Sequence, residues 1–314
     1  MTFPDRIDVH QHIVPPVWAR ALAAQGLDSG GWAIPDWSLS SAIDMMDQQG
    51  IAAGVLSVTA PGVHLGDDAQ ARDLARAVNE YGAEIVKGRP DRFGHFAAVP
   101  LPDVDAAVTE AVYALDTLHA DGVVLMSNAR GCYLGDPDFE PLWAELDRRA
   151  ANVFVHPAQP PMPLLPGTAA PLVDYVFDTT RGALNLVLNG VMSRYPDVRV
   201  ILSHGGGFLP YAAYRFSGLT STVVNPDHKA EDLLRDLKRF YFDTALSASP
   251  SALPALLAFA EPGHLLYGSD WPFAPQEAGT YYNHFLENYP HFTPGQAGAI
   301  NRKNAEILFP RLAD

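Results

Sequence analysis

Short runs of hydrophobic residues alternate along the chain with longer stretches in which hydrophobic residues recur every three or four positions. The short runs, such as residues 122–126 and 198–202, have the length and composition of buried parallel strands. The longer stretches are typical of helices, and residues 67–87 are the clearest case, with Leu74 and Val78 on one buried face. The pattern therefore predicts an α/β fold in which strands and helices alternate.

Eight strands follow from this pattern. We place them at residues 7–12, 53–58, 96–99, 122–126, 153–156, 198–202, 239–245 and 265–270. Their spacing suits right-handed crossovers, so the favoured fold is a (β/α)8 TIM barrel with an inserted loop region, residues 13–37, after the first strand. The whole of residues 1–314 is expected to form a single domain of this kind. A doubly wound sheet is the competing fold, and it would bind ligands only at a switch point.

Some of the predicted helices have recognisable ends. Ser38 or Ser40 begins a helix that Gly50 ends, since serine is a good helix cap and glycine a good helix terminator. A long helix is expected over residues 173–193. The C-terminal helix, at about residues 293–309, is expected to seal the barrel.

Polar residues end several of these strands. His10 and His12 lie two residues apart, so in an extended strand their imidazoles share a face and can bind one ion. His156 and Asp270 occupy equivalent strand ends, and His204 follows the sixth strand. Because the carboxyl ends of barrel strands open onto one face, we expect all five residues to converge there. We assign His10, His12, His156 and Asp270 to one divalent metal ion.

The donor types limit the choice of metal and the role of the remaining histidine. Imidazole and carboxylate ligands suit zinc first, and manganese or iron as well. His204 could join as a ligand, but beside the glycines of residues 205–207 it is better suited to act as a general acid or base. Residues 126–128 after the fourth strand include no lysine that could be carboxylated to bridge a second metal, so a mononuclear site is expected.

Composition narrows the class of partner. The sequence contains 21 Lys and Arg residues and 36 Asp and Glu residues, which gives a net charge of −15, and it contains no basic cluster. This composition disfavours binding to nucleic acids or to anionic membranes. A small-molecule partner is expected instead. Cys132 is the only cysteine, no apolar run approaches the roughly 20 residues that span a bilayer, and the first residues lack a signal-peptide pattern. A cytoplasmic location is the default expectation.

Several motifs resemble those of a known family. They are residues 8–12, 154–157, 202–207 and 267–272. Together they resemble the amidohydrolase superfamily over nearly the whole chain, in the branch of aminocarboxymuconate semialdehyde decarboxylase. Residues 60–64 and 101–105 are most similar to the 6-methylsalicylate decarboxylases of that branch.

The resemblance implies a metal-dependent barrel that removes CO2 from unsaturated or aromatic carboxylates without hydrolysis. It matches the four proposed ligands to the family's metal positions and His204 to its acid or base. Arg215, eleven residues after His204, matches an arginine that reaches the neighbouring subunit's site to hold a substrate carboxylate, which implies a homodimer. Family members that act on aminocarboxymuconate carry a further arginine that residues 42–47 lack, so a monocarboxylate substrate is favoured.

These expectations favour decarboxylation of a 2-hydroxybenzoate such as 6-methylsalicylate. Asp270, or His204 through water, would protonate the ring carbon that bears the carboxylate, and the charge of the ion would stabilise the oxyanion. We expect Trp18, Phe273 and His64 to form the walls around the substrate ring. The inserted region offers Trp32 and Trp37 as further apolar walls.

Two other functions stay open. The same ion and Asp270 could activate water to open a lactone or an amide, which would make the protein a hydrolase. A barrel that binds metal or ligand without turnover is less favoured, because no expected site residue is missing. Release of CO2 from salicylate-type acids would separate the decarboxylase from both.

Overall fold

Eight parallel strands form the centre of the molecule, a computed structural model that describes residues 5–313. The strands are β1 Arg6–His12, β2 Ile51–Ser57, β3 Phe93–Ala98, β4 Gly122–Met126, β5 Asn152–His156, β6 Arg199–Leu202, β7 Tyr241–Asp243 and β8 Leu265–Leu266. Each pairs with the next in chain order. The segment after β8 returns to β1, where Val9 N donates to Tyr267 O (3.0 Å) and Asp270 N donates to His10 O (2.8 Å). The predicted TIM barrel is confirmed.

Helices fill the intervals between the strands. The described helices are α1 Pro16–Ala24, α2 Leu39–Gln49, α3 Asp68–Gly88, α4 Val104–Asp116, α5 Glu140–Arg148, α6 Asp174–Leu188, α7 Val191–Arg194, α8 Leu209–Leu219, α9 Ala230–Lys238, α10 Ala252–Phe259, α11 Gln276–Glu287, α12 Gln296–Gly298 and α13 Asn304–Leu308. Between residues 5 and 313, no helix is both long enough and apolar enough to cross a membrane.

The inserted region after β1 is only partly a loop. Its first part is helix α1, which the sequence pattern did not predict. A proline stands in the first turn of the helix, where its missing N–H costs nothing. Trp18 and Leu22, one turn apart, are its two buried residues. A stripe of two residues is too short to be recognised as helical periodicity.

Two helices that were predicted to be continuous are interrupted. The long helix of residues 173–193 ends at Leu188, because Gly190 adopts a left-handed backbone (φ 72°) before α7 begins. The C-terminal helix divides into α12, a wide turn over Ala299–Lys303, and α13.

The C-terminal segment lies across the amino-terminal end of the barrel. Arg6 Nε at the start of β1 donates to Asn301 Oδ1 (2.9 Å), and Asn152 Nδ2 at the start of β5 donates to Leu308 O (2.9 Å). Because these contacts cover the amino-terminal end, the opposite, carboxyl-terminal end is the one where loops can form a binding site.

Candidate metal centre and active site

Four imidazoles and one carboxylate meet at the carboxyl-terminal end of the barrel. His10 and His12 lie on β1, His156 ends β5, and His204 and Asp270 follow β6 and β8. The candidate ligand atoms of His10, His156, His204 and Asp270 all lie within 4.8 Å of one another. His12 Nε2 lies 3.1 Å from His10 Nε2 and 2.9 Å from Asp270 Oδ1. The structure thus brings together all five residues selected from the strand ends.

Hydrogen bonds fix the orientation of three of these rings. In each ring Nδ1 lies close to an oxygen acceptor outside the cluster. The pairs are His10 with Asp243 Oδ2 (2.7 Å), His12 with Ser57 O (3.2 Å) and His156 with Pro157 O (2.8 Å). A ring that donates from Nδ1 keeps the lone pair of Nε2 free in its neutral form, which is the arrangement found in metal-binding histidines.

The charges of the cluster fit a divalent cation. Burial alone would lower the pKa of His10, but the carboxylates of Asp243 and Asp270 outweigh it and raise that pKa to about 10. Burial lowers the pKa of His12, and burial together with the neighbouring imidazoles lowers the pKa of His156, so both rings are neutral. The extra proton on His10 balances the buried carboxylates, and a bound cation would take its place. Imidazole and carboxylate donors match the preferences of zinc and similar ions.

Asp243 is a site residue that the sequence analysis missed. It is fully buried at the end of β7, and its carboxylate accepts hydrogen bonds from His204 N (2.8 Å) and Ala245 N (3.0 Å) besides its contact with His10. The predicted seventh strand ran on to residue 245, which placed Asp243 inside the strand. The rule that polar residues at strand ends form the site would have selected it, had the strand end been placed correctly.

Two of the candidate catalytic residues have an unusual backbone conformation. His204 (φ 53°) and Asp270 (φ 62°) lie in the left-handed region, which residues other than glycine rarely adopt. Hydrogen bonds hold both in place, since Asp243 Oδ1 accepts from His204 N and His10 O accepts from Asp270 N. Such strain persists only where the surroundings enforce it, and it is common at functional sites.

A cavity of about 470 Å³ opens above the cluster. His156, His204 and Asp270 line its floor. Its walls include aromatic and aliphatic side chains from several loops and helices, among them Trp32, Pro171, Leu172, Phe177, Phe208, Leu246 and Phe273. A mostly apolar pocket of this volume with a few convergent polar groups is typical of small-molecule sites.

The structure places only one of the three predicted ring contacts in this cavity. Phe273 lines it, and its ring centroid lies 5.6 Å from that of His12. Trp18 is buried on α1 instead, where its Nε1 donates to Gly62 O (2.7 Å). His64 turns towards α3, with Nε2 2.7 Å from Asp68 Oδ1, and lines a separate small cavity. From the inserted region it is Trp32 that reaches the main cavity.

Arg215 lies away from the cavity of its own chain. It is on the exposed face of α8, and no carboxylate of residues 5–313 forms an ion pair with it. Its neighbours on the helix, Tyr211 and Tyr214, are 84% and 68% exposed. Arg215 is therefore an exposed cation beside two exposed aromatic side chains, without an ion-pair partner within residues 5–313.

Comparison with known proteins agrees with this geometry. Residues 7–311 match the sequence profile of the family described as Amidohydrolase. A 6-methylsalicylic acid decarboxylase of Penicillium expansum is 42% identical over 98% of this chain and 97% of its own length. The decarboxylase yanB of Aspergillus niger is 40% identical over 98% of this chain and 88% of its own. A crystal structure of an amidohydrolase II, 32% identical, superposes with a TM-score of 0.91 over 98% of this chain and 100% of that chain.

The family resemblance inferred from the strand-end motifs is therefore confirmed along nearly the whole sequence. The fold, the cluster of imidazoles and carboxylate, and the sequence matches agree with one another. The chain belongs to the amidohydrolase family.

Proposed function

We propose that this protein is a metal-dependent decarboxylase that removes CO2, without hydrolysis, from a small 2-hydroxybenzoate-type acid. The first candidate substrate is 6-methylsalicylate. The proposal rests on one combined observation. The chain is 42% identical to a 6-methylsalicylic acid decarboxylase over almost the full length of both. It also has a cluster of imidazoles and a carboxylate that could hold a metal ion, at the floor of a largely apolar cavity. The lactone or amide hydrolase has no comparable support among these relatives.

The metal ligands in this proposal are His10, His12, His156 and Asp270. Zinc is the first choice of ion and manganese the second, because imidazole nitrogen and carboxylate oxygen suit both. When bound, a divalent ion would supply positive charge that stabilises negative charge developing on the oxygen atoms of the substrate.

The proton needed for the reaction is delivered by Asp270, or by His204 through water. Burial alone would raise the pKa of the Asp270 carboxyl, but the imidazoles of His10, His12 and His204 hold that pKa well below its usual range. Asp270 is therefore ionised in the free protein and first takes up the proton that the 2-hydroxyl group of the acid releases. Asp270 Oδ2 lies 3.3 Å from His204 Nε2, and both side chains line the cavity floor. The proton adds to the ring carbon that carries the carboxylate. The bond between that carbon and the carboxylate then breaks, its electron pair restores the aromatic ring, and CO2 leaves. The phenolate oxygen of the product regains a proton from water. Phe273 and the other apolar walls hold the ring in place.

A homodimer completes the proposal, with Arg215 of one subunit reaching the cavity of the other to hold the substrate carboxylate. The exposure of this arginine and the aromatic residues beside it support the idea. The cavity lining within residues 5–313 contains no lysine or arginine, so a cation from a second subunit would supply what the chain itself lacks. That residues 1–314 form one domain, and that the protein is cytoplasmic, stay predictions.

The test is incubation of zinc- or manganese-loaded protein with 6-methylsalicylate in D2O. We expect equal amounts of CO2 and 3-methylphenol, with one deuterium on the ring carbon that lost the carboxylate. The matched controls are metal-stripped protein and the variant Asp270→Asn, both of which should release no CO2. Cleavage of lactones or amides without release of CO2 from any hydroxybenzoate would instead identify a hydrolase.

A further inference from the structure

Tyr175 lies beside the cluster of imidazoles and carboxylate, and its hydroxyl group is free to bind a ligand as far as residues 5–313 are concerned. The residue lies in the first turn of α6, is only 4% exposed and lines the main cavity. Its ring centroid lies 6.4 Å from that of His156. Across residues 5–313, the hydroxyl makes no hydrogen bond.

The backbone of Gly30 holds this hydroxyl in place. A Cβ atom at Gly30 would lie 2.1 Å from Tyr175 Oη and 2.6 Å from Cζ, so only glycine permits the approach. The loop that carries Gly30 is itself fixed, because Ser29 Oγ donates to Ala60 O (2.8 Å) and Gly30 O accepts from Ala170 N (3.2 Å). The loop therefore blocks movement of the tyrosine ring in its direction.

Two other hydroxyl groups of the lining, those of Ser29 and Thr59, are already engaged, whereas the buried Ser247 Oγ has no partner within residues 5–313. Ser29 donates to a backbone carbonyl, and Thr59 Oγ1 lies 3.3 Å from His156 Nε2. Burial, together with the carboxylates of Asp28 and Asp270, raises the pKa of Tyr175 above its ordinary value. The hydroxyl therefore keeps its proton at neutral pH and is available as a donor.

We infer that Tyr175 Oη donates a hydrogen bond to the carboxylate of the bound aromatic acid, and that its contact with Gly30 fixes the position of this donor. The inference rests on the proposed function for the class of ligand and adds a substrate-binding residue to it. A hydrogen bond between a neutral donor and a charged acceptor is stronger than one between neutral groups, and burial strengthens it further.

The first test compares Tyr175→Phe with Tyr281→Phe, a cavity-lining tyrosine that is 59% exposed at the rim. Binding of 2-hydroxybenzoate and of phenol to the metal-loaded proteins is measured by calorimetry. Tyr175→Phe should weaken binding of 2-hydroxybenzoate about 10- to 100-fold and binding of phenol less than about 3-fold. Tyr281→Phe should leave both unchanged. If Tyr175 had only a structural role, Tyr175→Phe would weaken the binding of both ligands equally, and that result would overturn the inference.

The second test compares Gly30→Ala with Gly31→Ala. Both glycines have positive φ, 67° and 94°, so both substitutions strain the backbone. A Cβ at Gly31 would lie 3.7 Å from the Cβ of Ala169, an ordinary contact, whereas the Cβ at Gly30 would displace the tyrosine. Gly30→Ala should therefore lose affinity for 2-hydroxybenzoate as Tyr175→Phe does, and Gly31→Ala should not. Equal affinities in the two glycine variants would contradict the role of the contact.

Catalytic assays on the same proteins separate this inference from the proposed function. If wild-type protein releases CO2 and Tyr175→Phe matches it in binding and turnover, the inference fails and the function stands. If wild-type protein releases no CO2 but binds 2-hydroxybenzoate in a Tyr175-dependent way, the proposed reaction fails and the inference stands. If wild-type protein binds no aromatic acid, both are overturned.

Discussion

The ring nitrogen that each histidine directs inward determines how the cluster can bind an ion. His10, His12 and His156 are each oriented by an oxygen acceptor at Nδ1. His204 differs, because its buried Nδ1 finds no partner among residues 5–313 while its Nε2 faces Asp270. Without an acceptor to fix its tautomer, His204 is better suited to exchange a proton than to remain a permanent ligand.

This difference leads to a prediction about metal content. His12→Ala should lose most of its metal, because it removes an oriented ligand. His204→Ala should keep a full equivalent of metal and lose about 100- to 10,000-fold in turnover, as is typical when a general acid or base is removed. Elemental analysis of the two purified variants, followed by a decarboxylation assay, checks both halves. Metal-free His204→Ala would place His204 among the ligands instead.

A second prediction concerns His95 on β3, far along the chain from the site residues. It is 2% exposed, and neither ring nitrogen has a partner within the described residues. Burial lowers its pKa from 6.5 to about 4. As pH falls from 6.5 to 4, the unfolded chain takes up a proton that the folded protein excludes, so the folded state loses stability. The loss contributed by this group is at most about 3 kcal/mol.

The variant His95→Phe tests this acid sensitivity. Phenylalanine fills a similar volume but does not titrate, so the free energy of unfolding should fall less steeply between pH 6.5 and 4 than in the wild type. The measurement is urea unfolding of metal-free protein at a series of pH values, which removes the contribution of metal release. Parallel curves for the two proteins would show that folding does not shift the pKa of His95.

At the scale of elements, one buried carboxylate joins α6 to the end of β4. Asp178 is 0% exposed and accepts hydrogen bonds from Tyr133 Oη (2.6 Å), Asn128 Nδ2 (2.8 Å) and Ser127 Oγ. Ser127 Oγ in turn accepts from Ala158 N (2.9 Å), in the loop that follows β5. The network therefore ties together the exit of β4, the loop after the ligand His156, and the helix that carries Tyr175.

We predict that Asp178→Asn lowers the free energy of unfolding by about 3 kcal/mol. The amide has one acceptor oxygen where the carboxylate has two, so it leaves buried donors unsatisfied. Denaturant unfolding of metal-free protein measures the effect, and Asp174→Asn, a partly exposed carboxylate in the first turn of the same helix, is the control. A loss no larger than that of Asp174→Asn would mean that the network contributes little.

Elements with strong local signals could be predicted from the sequence, and those fixed by tertiary contacts could not. Strand β4 and the helix from its Ser38 cap to its Gly50 terminator lie where the sequence placed them. The seventh strand ends at Asp243 and the eighth at Leu266, both earlier than predicted. The residues after Leu266 no longer pair with β7, and they hydrogen-bond to β1. Hydrophobic runs indicate which residues are buried, but they do not indicate where sheet pairing ends.

The residues of the cluster could likewise be predicted from the sequence, whereas the residues of the cavity walls could not. The candidate ligands could be found because every barrel strand delivers its last polar residue to one face, whatever the loops do. The walls depend on the path of each loop. Trp32 and Tyr175 reach the cavity, whereas Trp18 and His64, which are closer to strand ends in sequence, turn away from it.

At the scale of the whole molecule, the proposed dimer makes each active site depend on both subunits. Within residues 5–313 no lysine or arginine lines the cavity, and Arg215 is instead exposed on α8. If Arg215 acts on the partner's site, an active site consists of Asp270 from one chain and Arg215 of the partner subunit. Two variants that are inactive alone would then form one intact site when paired.

Mixing Arg215→Ala with Asp270→Asn tests this arrangement directly. In the mixed dimer, the chain with Arg215→Ala keeps its own Asp270 and receives an intact arginine from its partner, so one of the two sites works. After denaturation and random reassociation of equal amounts, half of the dimers are mixed, and we expect about a quarter of wild-type decarboxylation. Sedimentation confirms that both variants remain dimeric, and metal content confirms that Arg215→Ala, the chain that supplies the working site, remains loaded. If Arg215 acts within its own chain, both sites of every mixed dimer stay defective and mixing restores no activity.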